Sequence, residues 1–263
     1  MGVLGALLRR RRLEGHGGRL FLLALDHGLP TGPLDGIQDP SRLLQIIRDV
    51  PLTGTILNPG MVPHVVSVLR AERALIVHLS AGTLLGPRPT SKVASGSTAD
   101  AVAMGADAVS VQIHFGDPNE DRMLATAGEM VADARSFGIP TLVMAHPPGG
   151  RTTQDDIDAA RHSARAAAEI GADFVQVSYL GPAESISELI EGCPVPLLLG
   201  GGPRFASPDA FLDRIRAAVA AGAAGITVGR NLFQNPNPRE FAMRIGEVVF
   251  RDALPTMVAE VPA

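Results

Sequence analysis

The 263-residue sequence predicts an α/β fold, a (β/α)8 TIM barrel, and three observations support this prediction. Apolar runs of strand length alternate with helical patterns along the chain. The runs are continuously apolar, as expected for parallel strands that helices cover on the outside. The length is close to the roughly 250 residues typical of one such barrel. We therefore expect residues 1–263 to form a single (β/α)8 barrel domain.

Eight apolar segments are the candidate strands. In chain order they are Leu20–Leu25, Gly54–Asn58, Leu75–Leu79, Ala108–His114, Thr141–His146, Phe174–Tyr179, Pro196–Gly200 and Gly225–Gly229. Between the last two, residues 208–222 have the apolar spacing of an amphipathic helix. Three helix-to-strand junctions share a glycine that is expected to end the helix, at Gly105, Gly171 and Gly222.

Composition predicts a cytoplasmic protein. No apolar run reaches the roughly 20 residues that a membrane span requires. The formal net charge of -4 and the pI near 6.0 provide no basic field for nucleic acid. The one cysteine, Cys193, cannot form an intramolecular disulfide, which fits a reducing compartment. We expect a protein that binds neither membrane nor nucleic acid.

Two glycine-rich strand ends predict a phosphate site. Gly201 and Gly202 follow the seventh candidate strand, and Gly229 and Arg230 follow the eighth. A missing Cβ lets an anion approach backbone N–H groups, and Arg230 adds a positive charge. Each loop alone could be an ordinary turn that needs glycine for its geometry. Because both follow the last two strands, where barrels of this class hold phosphate, we expect these four residues to bind phosphate.

Polar side chains follow the other candidate strands. In a (β/α)8 barrel the carboxyl ends of the strands carry the active site, so these side chains are candidates for substrate contact or catalysis. A single polar residue at a strand end is more often a structural hydrogen-bonding group than a catalyst. The strand-end candidates are Asp26, His27, Asn58, His78, His114, His146, Gln176, Ser178 and Tyr179.

Six short sequence motifs occur between about Leu20 and Val248, and their order along the chain is informative. They are Ala24-Leu25-Asp26-His27-Gly28, His78-Leu79-Ser80, Gly105-Ala106-Asp107-Ala108-Val109-Ser110, Gly192-Cys193-Pro194-Val195-Pro196, Gly201-Gly202-Pro203 and Val228-Gly229-Arg230-Asn231-Leu232-Phe233-Gln234. Together they resemble the archaeal-type class I fructose-bisphosphate aldolases and the 2-amino-3,7-dideoxy-heptulosonate synthases. The resemblance implies a (β/α)8 barrel in a homo-oligomer and a ketose phosphate held by the last two glycine loops. It also implies carbon–carbon chemistry through a lysine Schiff base.

Two positions depart from that family. Its Schiff-base lysine lies in a phrase similar to Val-Lys-Thr-Ser-Tyr-Thr-Gly, where this chain has Gln176 in Val175-Gln176-Val177-Ser178-Tyr179-Leu180-Gly181. An amide nitrogen has its lone pair delocalised into the carbonyl, so Gln176 cannot form an iminium. The family's proton-shuttling tyrosine is replaced by His146, whereas the carboxylate at Asp26 is retained.

These features predict an aldolase-type lyase or isomerase that acts on a small phosphorylated keto compound through a non-covalent enolate. Asp26 and His146 would transfer protons, because imidazole ordinarily titrates near neutral pH, with His27 as a further catalytic candidate. Gln176 would polarise a substrate carbonyl. No cofactor and no resident metal are expected. The residues expected to contact the substrate are Asn58, His78, His114, Ser178 and Tyr179.

Two other functions remain open from the sequence. The chain could be a catalytically silent relative that binds a sugar phosphate or completes an oligomer. Alternatively, the strand-end histidines and Asp26 could recruit a divalent metal that stabilises the enolate, although they lack a close ligand spacing such as His-x-x-x-His.

Lys92 offers a third alternative, because it could supply a displaced Schiff base. It is the only lysine among the 23 lysine and arginine residues. Its neighbours, Arg88-Pro89-Thr90-Ser91 and Val93, predict an exposed loop or a helix start. We therefore expect a solvated surface lysine, since an amine needs burial or a cationic neighbour to be nucleophilic at neutral pH.

Overall fold

The computed structural model describes residues 2–147, 156–178 and 181–250. Eight parallel strands close into a barrel in the order β1-β10-β9-β8-β7-β6-β3-β2, and β4 pairs with β5 in a small antiparallel hairpin. The strands are β1 (Leu20–Ala24), β2 (Gly54–Leu57), β3 (Ala74–His78), β4 (Ser80–Ala81), β5 (Val93–Ala94), β6 (Ala108–His114), β7 (Thr141–His146), β8 (Phe174–Val177), β9 (Leu197–Gly200) and β10 (Gly225–Val228).

Helices follow the barrel strands and cover their outer faces. The helices of the described residues are α1 (Gly2–Leu13), α2 (Gly28–Thr31), α3 (Pro40–Ile46), α4 (Val62–Val65), α5 (Thr98–Ala103), α6 (Glu120–Phe137), α7 (Ile157–Glu169), α8 (Ile186–Glu191), α9 (Pro208–Ala220), α10 (Arg230–Phe233) and α11 (Pro238–Phe250). Side chains cap the starts of several of them. For example, the hydroxyl of Ser97 accepts a hydrogen bond from the backbone N–H of Asp100, and Asp156 caps α7 in the same way through Ala159.

Two apolar cores lie on the two faces of the barrel wall. The smaller core is inside the barrel and includes Leu22, Ile76 and Leu198. The larger core, which includes Leu23 and Val77, lies between the strands and the helices. Successive strand residues point to opposite faces, so these two cores fix which positions along each strand face the interior.

Helix α1 closes the amino-terminal end of the barrel. Leu13 is buried with the interior core, and the Arg10 guanidinium lies 5.1 Å from the ring centroid of Phe174. The guanidinium of Arg12 also donates to Asp107, which precedes β6. Because this end is closed, the interior is approached from the carboxyl ends of the strands. We call that end the barrel mouth.

The predicted barrel is confirmed, and its strand limits agree with the sequence to within one or two residues wherever the chain is described. The predicted helix over residues 208–222 is observed as α9, and Gly105, Gly171 and Gly222 all have positive φ. The β4–β5 hairpin is an addition that the sequence did not predict. Within the described residues, no helix is long and apolar enough to cross a membrane.

Candidate active site

Inward-facing positions change from apolar to polar as the strands approach the mouth. In β1, Leu20, Leu22 and Ala24 belong to the interior core, and the next residue that points to the same face is Asp26. The same alternation brings the side chains at the ends of the neighbouring strands to the mouth. These inward positions are Asn58, His78, His114, His146, Gln176 and Ser178. The fold thus gathers most of the predicted site residues at one end of the barrel.

Asp26 is surrounded by two histidines and an asparagine. Its Oδ1 atom lies 3.3 Å from Nδ1 of His27, a contact that is not aligned as a hydrogen bond, and its Oδ2 atom lies 3.9 Å from Nε2 of His78. His78 is 3% exposed, and its Nδ1 atom lies 2.9 Å from the hydroxyl oxygen of Ser110. The Nδ2 amide of Asn58 donates to the backbone oxygen of Asp26 at 2.9 Å. Asn58 and His78 therefore position the carboxylate.

The surroundings of Asp26 keep it ionised. Burial acts to raise the pKa of this carboxyl, but the close contact with His27 and the charges of His27 and His78 outweigh burial, so the pKa lies below its ordinary value. Its Oδ1 atom has no hydrogen-bond partner within the described residues. An ionised carboxylate with a free acceptor atom can take a hydrogen bond, and then a proton, from a substrate hydroxyl.

His114 and His146 form a stacked pair on adjacent strands. They are direct partners in the β6–β7 register, and their ring centroids are 4.7 Å apart with planes inclined by 18°. The Nε2 atom of His114 lies 2.9 Å from Nε2 of Gln112, so His114 accepts a hydrogen bond from the amide. No hydrogen bond or ion pair links Asp26 to His146 in the described ranges. The two predicted acid–base residues thus lie in separate clusters.

Both stacked histidines are neutral at pH 7. Burial, followed by the charges of His114 and Lys92, lowers the pKa of His146 to about 3. Burial, followed by the charge of Lys92, lowers the pKa of His114 to about 4. The expectation that His146 titrates near neutral pH does not hold in this environment, because a cation is costly to bury there.

Gln176 faces the interior in β8, beside Met144 of β7 and Leu198 of β9. It is 7% exposed, and its Oε1 atom is buried without a hydrogen-bond partner within the described residues. Gly200 leaves room for this side chain, since a Cβ there would lie 2.9 Å from Nε2 of Gln176 and 3.1 Å from the hydroxyl oxygen of Ser178. Tyr179 lies outside the described residues.

The two glycine loops lie side by side at the ends of β9 and β10. Within the described residues, the backbone N–H groups of Gly202 and Gly229 make no hydrogen bond. Arg230 donates through Nη2 to the carbonyl of Gly202 at 3.1 Å, while its buried Nε has no partner there. These groups can bind an anion. Gly201 differs, because its N–H donates to the carbonyl of Thr227 at 2.8 Å.

Asn231 holds the two glycine loops together. Its Nδ2 amide donates to the carbonyls of Gly201 and Pro203, both at 2.9 Å, and its Oδ1 accepts from the backbone N–H of Phe205 at 2.8 Å. The sequence pattern did not single out Asn231. Its adjacency to Arg230 was the available signal.

His27 lies next to the second glycine loop. Its ring packs edge-on against Phe233 with centroids 5.2 Å apart, and a Cβ at Gly229 would lie only 2.4 Å from its Cε1 atom. Because Nδ1 of the same ring contacts Asp26, His27 connects the carboxylate to the second glycine loop.

The structure corrects the expectation of a solvated Lys92. The residue immediately precedes β5, is half-buried, and donates from Nζ to the carbonyl of Pro89 at 3.0 Å. Burial lowers its pKa, and the negative charges of Asp26 and Asp117 oppose that shift. Burial lowers the pKa values of His78, His114 and His146, and the charge of Lys92 adds to that shift. Lys92 therefore belongs to the electrostatic environment of the mouth.

Asp26 and the histidines at the mouth are residue types that can bind a metal ion. In the ranges that the structure describes, no three or more His, Cys, Asp or Glu residues are grouped so that they could hold a metal ion. The histidines at the mouth contact Asp26, Ser110, Gln112 or one another.

A (β/α)8 barrel with a carboxylate, two neutral histidines and two glycine loops with free N–H groups at its mouth has the features of barrel enzymes that act on phosphorylated compounds. Sequence comparison identifies a family within that class. Residues 20–235 match the profile of the DeoC/LacD family aldolases, and the chain belongs to this family.

Curated relatives match nearly the whole chain. The 2-amino-3,7-dideoxy-D-threo-hept-6-ulosonate synthase of Halobacterium salinarum is 35% identical over 237 residues, covering 90% of this chain and 89% of the relative. The 2-amino-4,5-dihydroxy-6-oxo-7-(phosphonooxy)heptanoate synthase of Streptomyces griseus is 33% identical over 245 residues, covering 92% and 89%.

Solved structures of similar proteins superpose on this barrel over nearly its whole length. An archaeal fructose 1,6-bisphosphate aldolase superposes with a TM-score of 0.86 at 30% identity, covering 93% of this chain and 98% of that one. A further structure, of an archaeal fructose-1,6-bisphosphate aldolase with its catalytic lysine covalently bound to the carbinolamine intermediate of the substrate, superposes with a TM-score of 0.85 at 30% identity, covering 92% of this chain and 98% of that one. These similarities support the resemblance deduced from the sequence.

Proposed function

We propose that the protein is an aldolase-type lyase or isomerase that acts on a small phosphorylated keto sugar or keto acid through a non-covalent enolate. The observation that carries this proposal is the placement of Asp26, His146 and Gln176 at inward-facing positions of one mouth. Beside them, the free N–H groups of Gly202 and Gly229 and the Nε of Arg230 are available to an anion. The names of the relatives, which include a phosphonooxy ketone and a fructose bisphosphate, support the substrate class.

In the cleavage direction, Asp26 accepts the proton of the substrate hydroxyl that becomes a carbonyl. The carbon–carbon bond breaks, and its electron pair moves to the neighbouring ketone, which becomes an enolate. Gln176 donates an amide N–H to the developing oxyanion, as neutral donors do in other enzymes. The proton that Asp26 accepted returns to the enolate carbon, directly or through water, and this completes the cleavage. Isomerisation would start instead from the intact substrate, when Asp26 removes a proton from the carbon next to the ketone and returns it to the former carbonyl carbon.

His146 acts in this scheme as a neutral imidazole. Since its pKa is held at about 3, an imidazole N–H can donate a hydrogen bond to the oxyanion, whereas an imidazolium is not available at pH 7. This donor role differs from that of a histidine that titrates near neutral pH. In the proposed scheme, a neutral His146 lets a site without a lysine imine stabilise negative charge. The proposed roles of Gln176 and His146 are therefore both those of oxyanion donors.

A Schiff base on Lys92 is a second candidate mechanism. The observation that favours it is the half-buried position of Lys92 and its lowered pKa, since burial increases the fraction of neutral, nucleophilic amine. The non-covalent route is preferred because Nζ is engaged by the carbonyl of Pro89, whereas Gln176 occupies the interior position on β8.

An activity screen tests the proposed function. Phosphorylated ketoses and keto acids are incubated with the protein, and release of an aldehyde product and exchange of the proton next to the ketone are measured. We expect activity that Asp26→Asn lowers by roughly 10²–10⁴-fold, since an amide cannot accept the hydroxyl proton. Binding of phosphorylated ketoses without turnover or proton exchange would instead identify a silent sugar-phosphate-binding relative.

A further inference from the structure

A second cavity lies beside the mouth and is lined by cations. Its volume is about 430 Å³, and it is formed by the segment that connects β4 to β5 and by the first turns of α6. Three basic side chains, Arg88, Lys92 and Arg122, line it together with polar groups of Ser91, Asn119 and Thr126. A cavity with three positive charges is suited to an anion.

These three cations have no carboxylate partner within the described residues. Arg88 makes one hydrogen bond, from Nη1 to Oδ1 of Asn119 at 3.5 Å, and Lys92 donates to a backbone carbonyl. Arg122 makes no hydrogen bond or ion pair with any residue that the structure describes. By contrast, arginines on the outer helices pair with carboxylates, as Arg165 does with Glu169.

Asp117 lies beside the cavity, and its hydrogen bonds are with groups other than the two arginines. Asp117 accepts hydrogen bonds from the hydroxyls of Thr90 and Ser91 at 2.5 and 2.8 Å, and from the backbone N–H of Asn119 at 2.8 Å. These contacts hold the β4–β5 segment against the start of α6. They leave the guanidinium groups of Arg88 and Arg122 available to a ligand.

The strand order places this cavity across the mouth from the glycine loops. The β4–β5 segment follows β3 and α6 follows β6, and in the closed barrel β3 and β6 lie opposite β9 and β10. Lys92 connects the cavity with the mouth, because it lines the cavity and immediately precedes β5, which pairs with β4 close after His78 at the end of β3. The charges of Lys92 and Asp26 also act on each other.

We propose that Arg88, Lys92 and Arg122 form a second anion subsite that takes a phosphate or carboxylate group. This inference rests on the proposed function, in which the glycine loops hold the first phosphate. The anion comes either from the far end of the substrate or from a free ion. Both sources use the same chemistry, because a guanidinium binds phosphate and carboxylate through charge-assisted hydrogen bonds.

Titration of the full chain with inorganic phosphate in a calorimeter tests the subsite. Four proteins are compared: wild type, Arg230→Ala, the double variant Arg88→Ala/Arg122→Ala, and the control double variant Arg165→Ala/Arg216→Ala. The control makes the same change in net charge on exposed outer helices. We expect two phosphates per wild-type and control chain. We expect one phosphate in each of the other variants, with the lost site weakened by roughly 10- to 100-fold or more.

A single wild-type phosphate that depends on Arg230 and not on Arg88 or Arg122 overturns the second subsite and leaves the proposed function intact. A wild-type chain that binds phosphate only at the site that depends on Arg88 and Arg122, and not at the site that depends on Arg230, would instead count against the proposed function. Competition then identifies the source of the anion. If fructose 1,6-bisphosphate displaces both phosphates and fructose 1-phosphate displaces one, the substrate supplies it. If the bisphosphate leaves the Arg88- and Arg122-dependent phosphate in place, the source is a free anion.

Discussion

The imidazole rings of His114 and His146 are stacked with their centroids 4.7 Å apart, and burial is the main cause of the lowered pKa of each ring. The pKa of His146 is about 3 and that of His114 is about 4, against about 6.5 for an unfolded histidine. Between those values the unfolded chain binds more protons than the folded chain. The free energy of unfolding should therefore decrease as pH falls below 6.5 and continue to decrease until the folded-state pKa values are reached.

At pH 5 each of the two histidines should lower the free energy of unfolding by about 2 kcal/mol relative to pH 7. Urea unfolding of wild type and His146→Gln between pH 5 and 7.5 measures this effect, and the variant should have a flatter profile. His64→Gln is the control, because His64 is exposed. A His146→Gln profile as steep as that of wild type would contradict the assigned protonation.

Substitution of Arg230 should weaken phosphate binding. Arg230→Ala removes a charge-assisted contact of roughly 1.5–3 kcal/mol, which corresponds to an increase in KM of about 10- to 100-fold for a phosphorylated substrate. Arg216→Ala, on the outer face of α9, makes the same change in net charge and should leave KM unchanged. Equal effects on phosphorylated and unphosphorylated analogues would show that Arg230 does not contact phosphate.

A substitution at Gly229 tests the same phosphate site through a steric clash. Gly229→Ala places a Cβ 2.4 Å from Cε1 of His27, so the ring has to move away from the loop and from Asp26. We expect both KM and kcat to deteriorate. Gly128→Ala is the matched control, since no atom lies within 4 Å of its added Cβ.

Borohydride trapping distinguishes the two candidate mechanisms. Lys92 is the only lysine, so a trapped ketose adduct can lie only there or on the terminal amine, and peptide mass mapping separates the two positions. The non-covalent mechanism predicts an unlabelled Lys92 during turnover. A labelled Lys92, together with loss of both label and activity in Lys92→Arg, would establish the Schiff-base mechanism instead.

Buried parallel strands explain why the barrel could be predicted. Segments such as residues 20–25 and 197–199 are continuously apolar because one face lines the interior and the other contacts helices. Turn residues then delimit each segment. The positions of Asp26, His146 and Gln176 at the mouth follow from the same segments, because each polar residue lies at or just beyond the end of a strand.

Contacts between side chains could not be predicted in the same way. The approach of His78 to Asp26 and the stacking of His114 on His146 depend on how different strands are placed in register, which a single segment does not specify. The partial burial of Lys92 also depends on distant residues, since its backbone N–H contacts the sulfur of Met123 on α6. The flanking residues Arg88-Pro89-Thr90-Ser91 and Val93 predicted only an exposed loop or a helix start.

Gln176 should be required as a hydrogen-bond donor. Gln176→Ala removes the interior amide of β8 and should lower kcat by about 10²-fold, the loss typical of a neutral oxyanion donor. Gly200→Ala should have a smaller effect in the same direction, because the added Cβ lies 2.9 Å from Nε2 and displaces the side chain. Steady-state kinetics with the substrate found in the screen measure both effects. Full activity of Gln176→Ala would remove Gln176 from the mechanism.

A lysine at position 176 should restore imine formation. In a Lys92→Arg background, Gln176→Lys gives a chain whose only lysine amine lies at an interior position where Gln176 is 7% exposed. Burial lowers the pKa of such an amine and increases the neutral fraction that attacks a ketone. Borohydride with a phosphorylated ketose should label residue 176, whereas the Lys92→Arg parent should acquire no label on a side chain. If both chains stay unlabelled while phosphate binding persists, the interior position on β8 does not face the substrate carbonyl, and the role assigned to Gln176 is wrong.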